Sequence, residues 1–180
     1  MASWVQRMVG AARLDAATYE EVEADTRANG QALAVVLLSE LAAGIGGLAE
    51  RGHGPFVGVI IALFAWVIWA FLIWLIGAKM LPEPETRSDV GELLRTTGFA
   101  ASPGILRVFG VVPLVGTVVN VVVWIWMLAT MVVAARQALD YRSTTRAVLV
   151  CVIGFAVQML AAFLFGALMG AALVGVWRMP

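Results

Sequence analysis

Charge is scarce in this chain. Lys, Arg, Asp and Glu make up 13% of the 180 residues, where a water-soluble domain carries about 25%. The formal net charge is zero, so no global field favours nucleic acid, and none is expected as a partner. There is one cysteine, Cys151, inside an apolar run, so no intrachain disulfide can form. One histidine, His53, and that one cysteine cannot build a metal site between them. No Walker loop, His-Glu-x-x-His pair or nucleophile elbow occurs. No catalytic residue, metal or cofactor is therefore assigned. No short basic leader precedes the first apolar run, so the reading includes no cleaved signal peptide.

Apolar residues are abundant instead: 62% of the chain, with a mean hydropathy of +0.92. That much apolar surface with so little charge calls for lipid as solvent. The expected fold is all-α, a polytopic transmembrane helical bundle of five spans with short N-terminal surface helices. The spans are expected at 31–49, 56–78, 99–114, 117–135 and 147–176. A cytoplasmic segment, 1–30, precedes them, and a cytoplasmic loop with a short helix occupies 79–98.

Residues 3–13 suit an interfacial helix. Trp4, Val5, Met8, Val9 and Ala12 fall on one arc, and Gln6, Arg7 and Arg13 on the other. Such a helix lies at the headgroups through Trp4, Arg7, Met8 and Arg13, or packs on the protein's own cytoplasmic face; the two roles are compatible. Residues 16–29 form a second helix, capped by Asp15 and ended by Asn29-Gly30, with a solvated acidic face of Glu20, Glu21, Glu23 and Asp25.

The stretch 99–133 is too long for one span and short for two. Pro113 and Gly116 break it, leaving a short third span that crosses fully or is re-entrant. Loop charge arbitrates. With five spans and the N-terminus inside, the inner segments hold nine basic residues and the outer ones two, Arg51 and Arg178. A dipping third span would put Arg136, Arg142 and Arg146 outside. The expected placement is the bacterial inner membrane, N-terminus in the cytoplasm and C-terminus outside.

Few polar groups lie within the spans. Glu40 and Arg107 fall at similar depth, roughly 12 to 14 Å from the inner surface by helix rise. An unpaired charge at the bilayer centre costs about 2.5 to 3.5 kcal/mol, so the two are expected to pair. Asn120 and Gln158 are expected to bond between helices. A polar path through Glu40, Arg107 and Gln158 is the functional counter-reading. Gly166 and Gly170 form a small-residue face for a protein partner or a second copy.

The second half carries a recognisable pattern: Ser102-Pro103, Leu106, Phe109-Gly110, Val112-Pro113 and Gly116, then 124–133, Arg136-Gln137-Ala138-Leu139 and Thr145-Arg146-Ala147. It resembles the bacterial branch of the Yip1 domain family over about 31–165. The resemblance implies five spans, a cytoplasmic N-terminus and a short external tail. Eukaryotic members are linked to vesicle traffic and prenylated small GTPases. Their Asp-Leu-Tyr-Gly-Pro signature is missing here, so that role is not carried over. The functional expectation is a non-catalytic membrane scaffold or adaptor, acting in lipid organisation or in a process akin to membrane trafficking. The alternatives are an accessory subunit of a larger complex, such as a bioenergetic one, and a small transporter or channel using Glu40 and Arg107.

Overall fold

The computed structural model describes residues 2–47, 55–112 and 115–177. His53 and Pro113 lie outside the described residues. All regular structure among those described is helical. Seven α-helices follow in order: α1 (Trp4–Ala12), α2 (Ala16–Ala24), α3 (Asn29–Gly46), α4 (Pro55–Trp74), α5 (Val90–Ala100), α6 (Gly116–Ala138) and α7 (Thr144–Trp177). Short 3-10 and π segments join some of them.

Four helical stretches are long and apolar enough to cross a membrane: Thr26–Gly46, Gly58–Met80, Gly116–Ala138 and Thr144–Leu168. The chain is a multi-pass membrane protein. The third expected span, 99–114, is not a membrane-length helix. Its first residues complete α5, and Ser102–Val111 forms a ten-residue 3-10 helix. A 3-10 helix has three residues per turn, so positions three apart stack on one side. Gly104, Arg107 and Gly110 are so spaced, and all three meet α3. Gly104 lies against Ser39, the Arg107 carbonyl against Gly46, and Gly110 against Gly46. A 3-10 helix also rises about 2.0 Å per residue against 1.5 Å for α, stretching a short segment along its neighbour.

The register continues below. Gly98 on α5 packs against Ala32 of α3. The composite of α5 and the 3-10 segment therefore runs parallel to α3 over most of its length. Buried Ala32, Val35, Val36, Ser39, Ala42 and Ala43 give α3 its inner stripe, while Leu33, Leu38, Leu41 and Ile45 are exposed. That exposure is what lipid solvates.

Helix α4 continues into a π segment, Leu75–Met80. A π turn offsets the ordinary hydrogen-bond ladder. The Tyr141 hydroxyl lies 3.0 Å from the Gly77 carbonyl and 2.6 Å from that of Leu81, donating to one at a time. This fixes the end of α4 to the end of α6. The loops after both helices are tied by Arg142 to Glu83 and Glu85, and by Arg87 to Asp140. This end is called the loop end below. Helix α7 descends the other way: Gly154 packs on Ile73, and Gln158 donates to the Ala65 carbonyl at 3.2 Å.

Two buried clusters form the interior. One gathers Ala11, Tyr19, Val22, Ala32, Val35 and Phe99 from α1, α2, α3 and α5. The other gathers Ile73, Leu93, Leu139, Tyr141 and Val150 from α4 to α7. The helix expected at 88–97 is Val90–Ala100; Asp89 and Glu92 form its capping box, and its second half is buried. The expected stop at Asn29-Gly30 is overturned. A 3-10 turn, Thr26–Ala28, leads straight into α3, and Asn29 is its first residue.

Candidate functional site

The charged residues of the interior fall into two sets. The first joins α3 to the 3-10 segment. Arg107 Nη2 donates to Glu40 Oε1 at 3.0 Å and to Ser39 Oγ at 2.7 Å. The same nitrogen lies 3.2 Å from the Ser39 carbonyl, and Arg107 Nε donates to the Gly104 carbonyl. Glycine at 104 makes room for this: a Cβ there would collide with Ser39 Oγ. Glu40 and Arg107 side chains are 24% and 20% exposed, so the pair lies at the edge of the α3 packing rather than in a sealed core. Ser39, the neutral third member, had no sequence signal beyond its place one residue before Glu40.

Asn120 and Gln158 do not extend this set into a path. Asn120 is exposed on α6, its side-chain nitrogen near Gly110. Gln158 bonds α7 to α4. The structure brings Glu40 and Arg107 together and leaves Gln158 apart from them.

The second set holds α1 and α2 on the bundle. The turn between them is tight, with Leu14 in the left-handed region at φ 64°. Asp15 then caps α2 by accepting from the Ala17 amide. Arg7 was expected on the outer arc of α1; it points inward instead and is 2% exposed. It contacts Glu21 at 3.0 Å and Asp25 at 2.8 Å, and donates to Gln31 Oε1 at 3.1 Å. The cause is the short hairpin: two nine-residue helices bring the α2 carboxylates over the first turns of α1. Burial works against the Arg7 charge, and the bonds to Glu21 and Asp25 outweigh it, holding the guanidinium above its ordinary pKa. Asp25 is in turn lowered, mainly by Arg7. Glu21 is lowered by the Ala2 amide and then by Arg7.

Trp4 and Met8 are half-buried against the first cluster, and Val5 and Val9 are exposed. Arg13 caps the end of α1 and is exposed. Trp126 Nε1 donates to the Ala12 carbonyl at 2.7 Å, and the Tyr19 hydroxyl lies 3.1 Å from the Ala11 carbonyl and 3.3 Å from that of Thr130. Arg95, buried on α5, spends its guanidinium on the Glu23 carbonyl, at 2.5 Å from Nη2. These ties were not legible in the sequence, because each joins residues far apart in the chain.

Of the acidic face expected of α2, Glu20 stays exposed, Glu21 and Asp25 are drawn to Arg7, and Glu23 is half-buried. Its carboxyl is pushed up to about 8 by burial, then by the charges of Glu92, Asp140 and Glu20, with Arg95 opposing. Its Oε2 has no hydrogen-bond partner among the described residues.

No curated protein and no solved structure matches this chain. The sequence model of the Yip1 domain, however, matches residues 15–175. That range takes in α2, both interior charge sets except Arg7, and nearly all of α7. The chain therefore belongs to the Yip1 domain family.

Proposed function

We propose that this protein is a non-catalytic scaffold of the bacterial inner membrane, crossing it five times with its N-terminus in the cytoplasm. The observation that carries the topology is that α4 and α6 finish at the same end. Tyr141 bonds the carbonyls at the end of α4, and Arg142 bonds the acids that follow it. Two consecutive long helices can both run toward one end only if the chain between them returns to the other. The composite of α5 and Ser102–Val111 does so alongside α3, and counts as the third crossing. Its 3-10 stretch gives it reach, and the Glu40–Arg107 pair neutralises the charge it carries into lipid.

Nine of the twelve basic residues gather at the loop end or on the N-terminal hairpin docked there, and the positive-inside rule makes this end cytoplasmic. The interior charges are spent on holding helices together, which favours a structural role over transport. The outer half of α7 favours a partner: 161–168 is exposed throughout, and among the described residues nothing packs on Gly166 or Gly170. A helix face of small residues suits close contact with another helix in lipid.

Single cysteines at Thr86, Val112 and Ser143 in a Cys151→Ala background test the topology. A membrane-impermeant maleimide should reach Thr86→Cys and Ser143→Cys from one side and Val112→Cys from the other. Labelling of Val112→Cys on the side of Thr86→Cys would remove the third crossing. For the scaffold reading, the particle released by mild detergent should exceed the 19.2 kDa chain in protein mass. A strictly monomeric particle counts against it.

A further inference from the structure

Two recesses are lined by successive stretches of α6, the lower one nearer the loop end. The upper is a cavity of about 350 Å³ walled by Trp69, Trp124, Met131, Val132, Val148 and Phe155 among others. Its wall is almost wholly apolar, and several of these side chains also face outward between α4, α6 and α7. The lower recess, of about 520 Å³, is polar and is lined in part by Glu20, Arg87, Arg136, Asp140 and Arg142. Val132 of the upper and Arg136 of the lower are four apart on α6, and such residues are neighbours on one helix face. Arg142 and Val148 flank the same junction at the start of α7.

The lower wall has both signs of charge. Arg142 is taken by Glu85. The Arg87 guanidinium forms no ion pair among the described residues; only its backbone amide is engaged, by Asp140 at 3.1 Å. Arg136 uses Nε on the Tyr141 carbonyl, which leaves its two terminal nitrogens to donate. Glu20 accepts from Gln137 through one oxygen. Three arginines face three carboxylates, with Glu85 the third, so the wall is neutral overall. A doubly anionic headgroup would gain from the arginines and lose to the acids. A zwitterion whose cation carries N–H donors satisfies both.

We propose that the two recesses together bind one aminophospholipid of the cytoplasmic leaflet. Its phosphate sits on Arg87 and Arg136, its ammonium on Glu20 and Asp140, and one acyl chain fills the apolar cavity. The site rests on the membrane placement proposed above. It adds a lipid class and an address to the scaffold reading.

Native mass spectrometry of the full chain, released from micelles of equal phosphatidylethanolamine, phosphatidylcholine and phosphatidylglycerol, tests this. Phosphatidylethanolamine should be retained about tenfold over the other two, the worth of one or two charge-assisted bonds. Phosphatidylcholine shares the phosphate but has no N–H to give Glu20 or Asp140. Arg87→Gln should cut retention of the amino lipid about tenfold, and so should Val148→Trp, which fills the chain cavity. Both positions are exposed, so the unfolding midpoint should hold. Were Arg87→Gln to misfold, Glu20→Gln is the second headgroup variant, and should abolish the preference over phosphatidylcholine. Equal retention of the three lipids, preference for phosphatidylglycerol, or unchanged retention in both variants overturns the site. The cysteine-labelling pattern is read independently, so loss of the lipid preference with that pattern intact sinks the lipid site alone.

Discussion

Glu40 and Arg107 show why a charge in a lipid-facing segment is kept. Each alone would cost about 2.5 to 3.5 kcal/mol on insertion scales; together, with Ser39 as a third partner, the charges cancel. Glu40→Gln and Arg107→Gln should each destabilise the fold by about 2 to 3 kcal/mol. The double variant should lose clearly less than their sum, by about 1.5 kcal/mol or more. Unfolding in mixed micelles measures the cycle, and strict additivity would show that the pair contributes nothing. Glu23 makes a different prediction. An acid held above its ordinary value takes up a proton when its helix docks. The contribution of Glu23 to the docking of α2 is therefore fullest below pH 4.5, the ordinary value, and weakens as pH rises toward about 8. Glu21 and Asp25, held below their ordinary values, act in the opposite sense and lose their contribution under acid conditions. Between pH 5 and 8 Glu21 and Asp25 stay ionised while Glu23 changes, so hydrogen exchange in α2 should quicken with pH beyond the base-catalysed trend. Glu23→Gln should leave only that trend. An unchanged pH response in Glu23→Gln would exclude Glu23 as its source.

Among the elements, the 3-10 segment is the one whose geometry most departs from a sequence expectation. Apolar content at 99–114 points to a short span, and hydropathy alone cannot distinguish 3-10 from α. Close approach to α3 does: Gly104 and Gly110 stack three apart with Arg107 only in a three-residue turn. On the α3 side the matching position is Gly46, where a Cβ would strike the Arg107 carbonyl, a backbone atom with little freedom to yield. Gly46→Ala should therefore destabilise the bundle by about 1 to 3 kcal/mol, seen as a lower unfolding midpoint in detergent. Gly30, with open space around it, is the matched control and should change little. The hairpin of α1 and α2 depends on Arg7 in the same way. Arg7→Met leaves Glu21 and Asp25 without their cation, and should cost about 2 kcal/mol of hairpin docking. Limited proteolysis at the Leu14 turn reports it: cleavage should speed up in Arg7→Met, and an unchanged rate would mean the hairpin is held by its apolar contacts alone.

For the whole molecule, the large exposed apolar surfaces call for cover other than water. The perimeter of α4, α6 and the first half of α7 is apolar and exposed, as lipid requires. The outer half of α7 adds large exposed side chains such as Phe163, Phe165 and Leu168 around Gly166. Helix α7 has 34 residues, about 51 Å by helix rise, which exceeds the hydrocarbon core by some 20 Å. Replacing Gly166 and Gly170 together with leucine should leave the monomer's stability within about 0.5 kcal/mol, since no described residue packs there. It should reduce the mass of the native particle. A particle of unchanged mass would place the contact elsewhere.

Much of this architecture was legible from the chain alone. Hydropathy marks four long spans because lipid admits only continuous apolar helices, and that signal is local. The depth of Glu40 and Arg107 pointed to their pairing, because it follows from counting along the chain. What only tertiary structure decided was partner choice. Arg7 lies on the polar arc of a short amphipathic helix, and nothing within that helix shows that acids on the following one, Glu21 and Asp25, draw it inward. Asn29-Gly30 reads as a terminator by local propensity, yet packing of α3 carries the helix through it. Register, burial of charge and the shape of the recesses depend on which side chains meet across the bundle, and no local pattern encodes that.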